Sequence, residues 1–247
     1  MTFRKIIAAF GCVAIACCAA LPAFGQTFEK ANEEYAAGHF KEAIAQYEAL
    51  VQKGEYSANL FYDLGNAYFR AGDFGKAILN YERALALDRH HAEAQASLRV
   101  ARDEARALEL PPEGPEGYLR FASANQFTVA GAIALWVGLF CIAHLIFARR
   151  RTTRAIALPI LAWSIFAFAT AAVYWTENGS KGQALAIVTA NGVQARVATA
   201  DNANSVLALP PGSELKLMST RGNWIYAALP NNLRGWLPAN SAERVRL

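Results

Sequence analysis

Cysteine is scarce in this chain, and its placement excludes disulfides from most of the sequence. Only four cysteines occur among the 247 residues. Cys12, Cys17 and Cys18 lie in an apolar run that opens the chain, and Cys141 lies in a second apolar run. The polar stretches therefore have no disulfides and no thiolate ligands for a metal, so their stability has to come from packing.

Catalytic motifs are missing as well. His39, His90 and His91 have no cysteine partner and no spacing typical of metal ligands. The triplet Asp-Phe-Gly at 73–75 has no other kinase element beside it, and Gly-Lys at 75–76 lacks the remaining residues of a phosphate loop. No serine elbow and no pair of carboxylates stands out. The sequence predicts a protein that is not an enzyme and that binds no metal or cofactor.

Charged residues are absent from two long runs near the middle of the chain. Residues 127–148 and 155–175 contain no Asp, Glu, Lys or Arg. Each run is long enough to cross a hydrocarbon core, which takes about 20 residues. Only the segment 149–154, with four arginines, separates them. We therefore predict a transmembrane helical hairpin with its short turn in the cytoplasm.

The apolar run that opens the chain has the three-part pattern of a secretory signal peptide. Arg4 and Lys5 precede the run, and Ala23 and Gly25 stand three residues and one residue before a cut at Gln26. Residues 1–25 are thus predicted to direct export of the chain that follows. Export agrees with a cytoplasmic arginine turn, so both soluble regions are expected outside the cytoplasm.

The soluble regions lack the strong positive charge that nucleic-acid binding requires. The chain carries a net charge of +4. The signal peptide and the arginine turn together contribute +6, so the rest of the chain is slightly acidic. Residues 26–125 carry 11 basic and 16 acidic groups, and residues 176–247 carry seven and four. Nucleic acid is therefore not a predicted partner.

A motif recurs 34 residues apart in the first soluble region, 26–108. A repeat of this length, with small residues where two helices cross and aromatics between them, is typical of tetratricopeptide repeats, stacked helical hairpins that bind other proteins. We predict repeats at about 28–55 and 58–90 and a capping helix at 91–108, with Asp88 as its N-cap. The matched pairs are Gly38 and Gly72, Phe40 and Phe74, Ala43 and Ala77, Ile44 and Ile78, and Tyr47 and Tyr81.

The concave face of such a stack is lined by the first helix of each hairpin. Two of its residues, Asn32 and Asn66, are 34 apart. Their amides are expected either to bind the backbone of an extended peptide or to satisfy helix-end carbonyls and water. The predicted protein-binding groove consists of Phe28, Asn32, Tyr35, Asn59, Tyr62, Asn66, Phe69 and Arg70.

The segment 183–247 changes from helical to strand-like periodicity. Six short apolar stretches alternate with turns such as Asn-Gly at 191–192 and Pro-Pro-Gly at 210–212, which predicts a small all-β barrel of five to seven strands. The order Leu-Pro-Pro-Gly at 209–212, Gly-Asn-Trp at 222–224 and Gly-Trp-Leu-Pro at 235–238 resembles bacterial SH3-like domains.

Two aromatic residues of this segment are candidates for a second binding surface. Trp224 and Tyr226 alternate with Ile225 and Ala227, so one pair faces the core and the other faces outward. If Ile225 and Ala227 are in the core, Trp224 and Tyr226 form a surface for peptide or glycan. The alternative is that the two aromatics pack under a loop.

The complete order of segments resembles one family. A signal peptide, repeats containing FYDLGNAY at 61–68 and AILNYERAL at 77–85, a proline-rich linker at 109–126, two spans and an SH3-like tail are similar to the E component of the Bat proteins, which are associated with bacterial aerotolerance. The fold class is a multidomain membrane protein with an all-α repeat domain, a two-helix hairpin and an all-β barrel.

The resemblance implies a function in the bacterial inner membrane. It suggests an envelope scaffold with both soluble domains in the periplasm, linked to membrane proteins with von Willebrand A domains and indirectly to a MoxR-type ATPase. The alternative is a cell-wall sensor or adaptor whose SH3-like domain binds peptidoglycan, with the repeats as a spacer.

Overall fold

The computed structural model of the protein describes residues 22–112, 118–119, 121–147, 153–179 and 182–247. They divide into two units. The first contains the described residues up to 107, with the short segments 189–191 and 210–212, and the second contains the rest. Most of the predicted signal peptide and of the predicted arginine turn lies outside the described residues.

Five helices form the first unit. Consecutive helices pack on each other. The first helix also contacts the third, and the third contacts the fifth, so the first helices of the two hairpins lie side by side. Tyr47, Leu50, Phe61, Ile78 and Tyr81 are fully or almost fully buried between them. This is the predicted arrangement of two hairpins and a further helix. The helices are α1 (Pro22–Ala36), α2 (Phe40–Gln52), α3 (Ala58–Arg70), α4 (Phe74–Leu87) and α5 (Ala92–Ala105).

Glycine sets the turn inside each hairpin. Gly38 and Gly72 both have φ of +81°, in the left-handed region that glycine adopts without a steric penalty. Each follows the first helix of its hairpin and allows the chain to reverse, as predicted. After the second turn, Asp73 caps α4 by accepting a hydrogen bond from the Lys76 backbone N–H at 3.1 Å.

The predicted N-cap of α5 is wrong. His91, and not Asp88, caps this helix, because its Nδ1 accepts the backbone N–H of Ala94 at 3.2 Å. The Asp88 carboxylate instead accepts the backbone N–H of His90 at 2.9 Å. Asp88 thereby stabilises a short turn, and that turn delays the start of α5 until Ala92.

Two long helices of the second unit pack against each other: α6 (Ala124–Phe147) and α7 (Thr153–Asn178). Their segments Ala124–Phe147 and Ile156–Asn178 are long and apolar enough to cross a membrane. A Cβ atom added at Gly138 would lie 3.0 Å from Nε1 of Trp163. The small residue therefore allows close packing of the helices, and the pair is compatible with a two-pass membrane protein.

The remainder of the second unit is a seven-stranded antiparallel sheet in the order β3-β2-β6-β5-β4-β1-β7. Strands occur in all six predicted stretches, and β7 is additional. Among the described residues no pairing joins β3 to β7, so the sheet is not closed and the SH3-like barrel is not confirmed. The strands are β1 (Leu185–Val188), β2 (Val193–Arg196), β3 (Ser205–Leu209), β4 (Glu214–Arg221), β5 (Trp224–Ala228), β6 (Arg234–Pro238) and β7 (Ala242–Arg244).

The chain between α5 and the predicted linker, together with the start of that linker, is hydrogen-bonded to the sheet. Within the second unit, the Leu108 carbonyl accepts the Glu214 backbone N–H at 2.8 Å, and the Leu108 N–H donates to Oγ of Ser213 at 3.2 Å. The Leu110 N–H donates to Oε2 of Glu214 at 3.0 Å. Leu110, Ser213 and Glu214 are all buried. We call these contacts the 108–110 clasp.

Candidate functional site

The predicted groove residues lie on α1 and α3, the two first helices. The residues of α3 follow helical spacings of three and four, so they share one side of the helix. Phe28, Asn32 and Tyr35 lie on α1, and Asn59, Tyr62, Asn66, Phe69 and Arg70 lie on α3. Asn59 and Arg70 are exposed, and the other α3 members are half-buried.

The amide oxygens of both groove asparagines are engaged inside their own hairpins. The Tyr47 hydroxyl donates to Oδ1 of Asn32 at 2.6 Å, and the Tyr81 hydroxyl donates to Oδ1 of Asn66 at 2.8 Å. The sequence predicted that the asparagine amides bind a peptide or satisfy helix-end carbonyls and water, and it did not predict these tyrosine partners. Each oxygen satisfies a buried hydroxyl, which leaves the amide N–H groups and the second lone pair of each oxygen to bind a peptide backbone.

Two further predicted groove residues also make equivalent contacts in both hairpins. The Tyr35 ring packs edge-on against Phe40 with centroids 5.5 Å apart, and the Phe69 ring packs in the same way against Phe74 at 5.4 Å. The two hairpins thus share aromatic contacts as well as hydrogen bonds. We infer that Tyr35 and Phe69 hold the hairpins together at their turns and shape the groove from its edge.

His91 brings Asn59 and Tyr62 together at one end of the groove. The His91 and Tyr62 rings have centroids 4.9 Å apart, and Nε2 of His91 lies 3.2 Å from Oδ1 of Asn59. Because Nδ1 accepts the Ala94 N–H, the neutral ring carries its proton on Nε2 and donates it to Asn59. Oε2 of Glu93 also lies 3.2 Å from Nδ1.

Asp63 belongs to the same surface but was not among the predicted residues. It lies four residues after Asn59 and three before Asn66, so it shares their side of α3. Burial raises the pKa of Asp63 to about 6, and the nearby His91 lowers it in part. Burial first, and the charge of Asp63 second, raise the pKa of Tyr47 on α2. Helical spacing from Asn59 was the signal that could have identified Asp63.

Removal of the Asp63 charge is expected to stabilise the first unit at neutral pH. Its pKa rises from 3.8 in the unfolded chain to about 6 in the folded one. The folded state therefore binds the proton more tightly, and stability falls as the pH rises through this range. After allowance for solvent screening, Asp63→Asn should add about 1 kcal/mol at pH 7 and almost nothing at about pH 4.

Thermal melting of both proteins at these two pH values, followed by circular dichroism, measures the effect. Glu42→Gln on α2 removes an exposed acidic side chain and is the matched control, which should show no comparable gain. An Asp63→Asn variant that is less stable than wild type at pH 7 would contradict the assigned environment of this carboxylate.

The aromatic residues of the C-terminal sheet lie on its outer side. Ile225 and Ala227 are buried, so strand alternation places Trp224 and Tyr226 on the opposite face, where both are half-buried. Trp236 on β6 is paired with Tyr226, and the two ring centroids are 4.9 Å apart. Trp236 was not among the predicted residues. The cross-strand pair extends the predicted aromatic surface onto a second strand.

The sequence pattern of the tetratricopeptide repeat matches residues 58–91. This segment contains α3 and α4, and it carries Asn59, Tyr62, Asp63, Asn66 and Arg70. It is thus a tetratricopeptide hairpin, and the hairpin before it makes the same internal contacts. No curated protein matches the chain. Among the residues that the structure describes, no group of three His, Cys, Asp or Glu could hold a metal ion.

Proposed function

We propose that the protein is a membrane-anchored scaffold that binds a partner protein through the groove of its first unit. The main support is the α3 surface of Asn59, Tyr62, Asp63 and Arg70, on a hairpin that matches a repeat whose stacks bind proteins. Two apolar helices long enough to cross a membrane provide the anchor. The proposed role is binding rather than catalysis, and it uses no cofactor.

We place both soluble regions in the periplasm of a bacterial inner membrane. The four arginines between the spans and the signal-peptide pattern support this orientation. The 108–110 clasp supports placing both regions on the same side of the membrane, because residues before α6 and after α7 can form hydrogen bonds only there. The resemblance of the chain to the E component of the Bat proteins suggests its partners, which we propose are membrane proteins with von Willebrand A domains and, indirectly, a MoxR-type ATPase. The proposed complex serves envelope or oxidative-stress tolerance.

Cysteine labelling tests this orientation. In a variant without native cysteines, a cysteine at Lys53 or at Asn202 should react with a membrane-impermeant maleimide in intact spheroplasts. Both positions are exposed. A cysteine at Thr152 in the predicted turn should react only after lysis. Protection of Lys53 or Asn202 until lysis would rule out the periplasmic assignment.

In-cell photocrosslinking tests partner binding by the groove. A benzophenone amino acid at the exposed groove position Arg70 should trap a membrane protein, whereas the same residue at Ala86, exposed on α4, should not. Tyr62→Ala should lower the yield from position 70 at least about five-fold, because an aromatic anchor commonly contributes more than 1 kcal/mol to binding. Equal crosslinking from both positions, or no effect of Tyr62→Ala, would reject the groove as the binding surface.

The outer aromatic surface of the sheet supports a second candidate function. If this sheet is an SH3-like wall-binding domain, the Tyr226 and Trp236 rings and the adjacent Trp224 are the groups to stack on a glycan or peptide of the wall. The protein in detergent would then sediment with purified peptidoglycan sacculi, and Trp224→Ala with Tyr226→Ala would release it. Sedimentation together with normal crosslinking in the Tyr62→Ala variant would favour this function over the scaffold.

A further inference from the structure

Asp63 is a half-buried carboxylate in the groove that forms no ion pair with a lysine or arginine in the described part of the chain. Arg70 lies seven residues further along α3, which is about 10 Å along the helix axis and too far for direct pairing. His91 is the one basic group close enough to affect the Asp63 pKa. A carboxylate held away from water without a counterion is unfavourable for the free protein.

The polar groups around Asp63 donate their hydrogens to other acceptors. The Tyr47 hydroxyl on the α2 side donates to Asn32. On the α5 side, Nε2 of His91 donates to Asn59, and Nδ1 accepts the helix N–H. The two groups that interact electrostatically with Asp63, Tyr47 and His91, therefore use their donors elsewhere. Asp63 shares the side of α3 that carries Asn59 and Asn66, so its carboxylate remains an acceptor on the groove side of the helix.

We infer that the groove binds an extended protein segment through a lysine or arginine side chain that pairs with Asp63. The inference rests on the proposed function and specifies the chemistry of the partner. The half-buried Tyr62 ring lies next to Asp63 on α3, where it can contact the apolar stem or the charged head of that side chain. Glu29 occupies the equivalent position of α1 and is exposed, so a second basic residue of the segment has a partner as well.

Charge over the larger region is complementary to such a ligand. Residues 26–125 carry 11 basic and 16 acidic groups, a net charge of 11 − 16 = −5. An acidic domain attracts a basic segment at long range, and the partly desolvated Asp63 provides the specific contact. The arrangement also explains why an unfavourable charge is present in the free protein, since pairing with the ligand relieves it.

Peptide selection with the full-length protein in detergent tests this inference. The probe is a phage-displayed library of random octapeptides. Peptides enriched by wild type should share a lysine or arginine at one position. Synthetic copies should bind Asp63→Asn about ten-fold more weakly than wild type by fluorescence anisotropy, as expected for loss of a partly buried charge pair. Acetylation of the selected lysine should have the same effect on wild type and none on Asp63→Asn.

Two variants complete the test. Asp63→Lys should select peptides with Asp or Glu at the same position, and Glu42→Gln should bind as wild type does. Because Asp63→Asn is expected to be more stable than wild type, its loss of binding would not reflect unfolding. Peptides that require Tyr62 but show no preference for a basic residue would overturn this inference and leave the proposed function standing. Failure to select any Tyr62-dependent peptide would overturn both.

Discussion

Arg102→Met is expected to destabilise the first unit strongly. Nη2 of Arg102 on α5 pairs with Oε1 of Glu82 on α4, and both side chains are largely buried, at 11% and 9% exposed. Loss of the arginine removes a charged partner from the buried Glu82 carboxylate, and breaking a buried ion pair in this way is destabilising. Small domains have only about 5 to 15 kcal/mol of stability in total. Circular dichroism should show a markedly lower melting temperature and less helix at physiological temperature.

The double variant Arg102→Met with Glu82→Met is the informative comparison. It removes both charges and keeps apolar volume, so it should recover most of the stability lost in the single variant. Arg99→Met, at an exposed position of the same helix, should change the melting temperature little. If Arg99→Met is as harmful as Arg102→Met, or if the double variant is no better than the single one, the ion pair is not what attaches α5 to α4.

Gly65→Leu is expected to separate α3 from α4. A Cβ atom at this position would lie 2.7 Å from two ring carbons of Tyr81 and 3.3 Å from the Ala77 carbonyl oxygen. The Tyr81 ring cannot easily move aside, because its hydroxyl is held by Asn66. Overpacking of this kind costs about 1 to 3 kcal/mol or more. The helical signal should therefore melt at a lower temperature, and the crosslink from position 70 should be lost.

Ala86→Leu adds a comparable apolar side chain at an exposed position of α4 and should leave the melting temperature nearly unchanged. Tyr62→Ala should weaken partner capture while most of the helical structure is retained. If Tyr62→Ala destabilises the unit as much as Gly65→Leu does, Tyr62 is a core residue and the groove face has been assigned incorrectly.

The helices and strands follow from local patterns in the sequence, which explains why they could be predicted. Gly38 and Gly72 mark the hairpin turns because few other residues tolerate their backbone conformation. The period of two separated Ile225 and Ala227 from Trp224 and Tyr226, and the burial of the first pair shows which face of β5 is in the core.

The polar details of the site depend on distant or competing partners, and local patterns do not encode them. Asp88 and His91 are both suitable N-caps for α5. The short turn that Asp88 forms with His90 places His91, and not Asp88, directly before the helix. The contact between Asn66 and Tyr81 depends on how two helices cross. Asp63 is unusual because of what surrounds it in space, and a single aspartate in a helix gives no sign of that.

The 108–110 clasp gives the protein a defined path for mechanical force. Its hydrogen bonds join residues about 104 positions apart, on either side of the two membrane-spanning candidates. A pull transmitted along the chain from α5 reaches Ser213 and Glu214 before it reaches α6. Tension from a bound partner would thus load the sheet first and pass from it into α7, and α6 would be loaded only after the clasp opened.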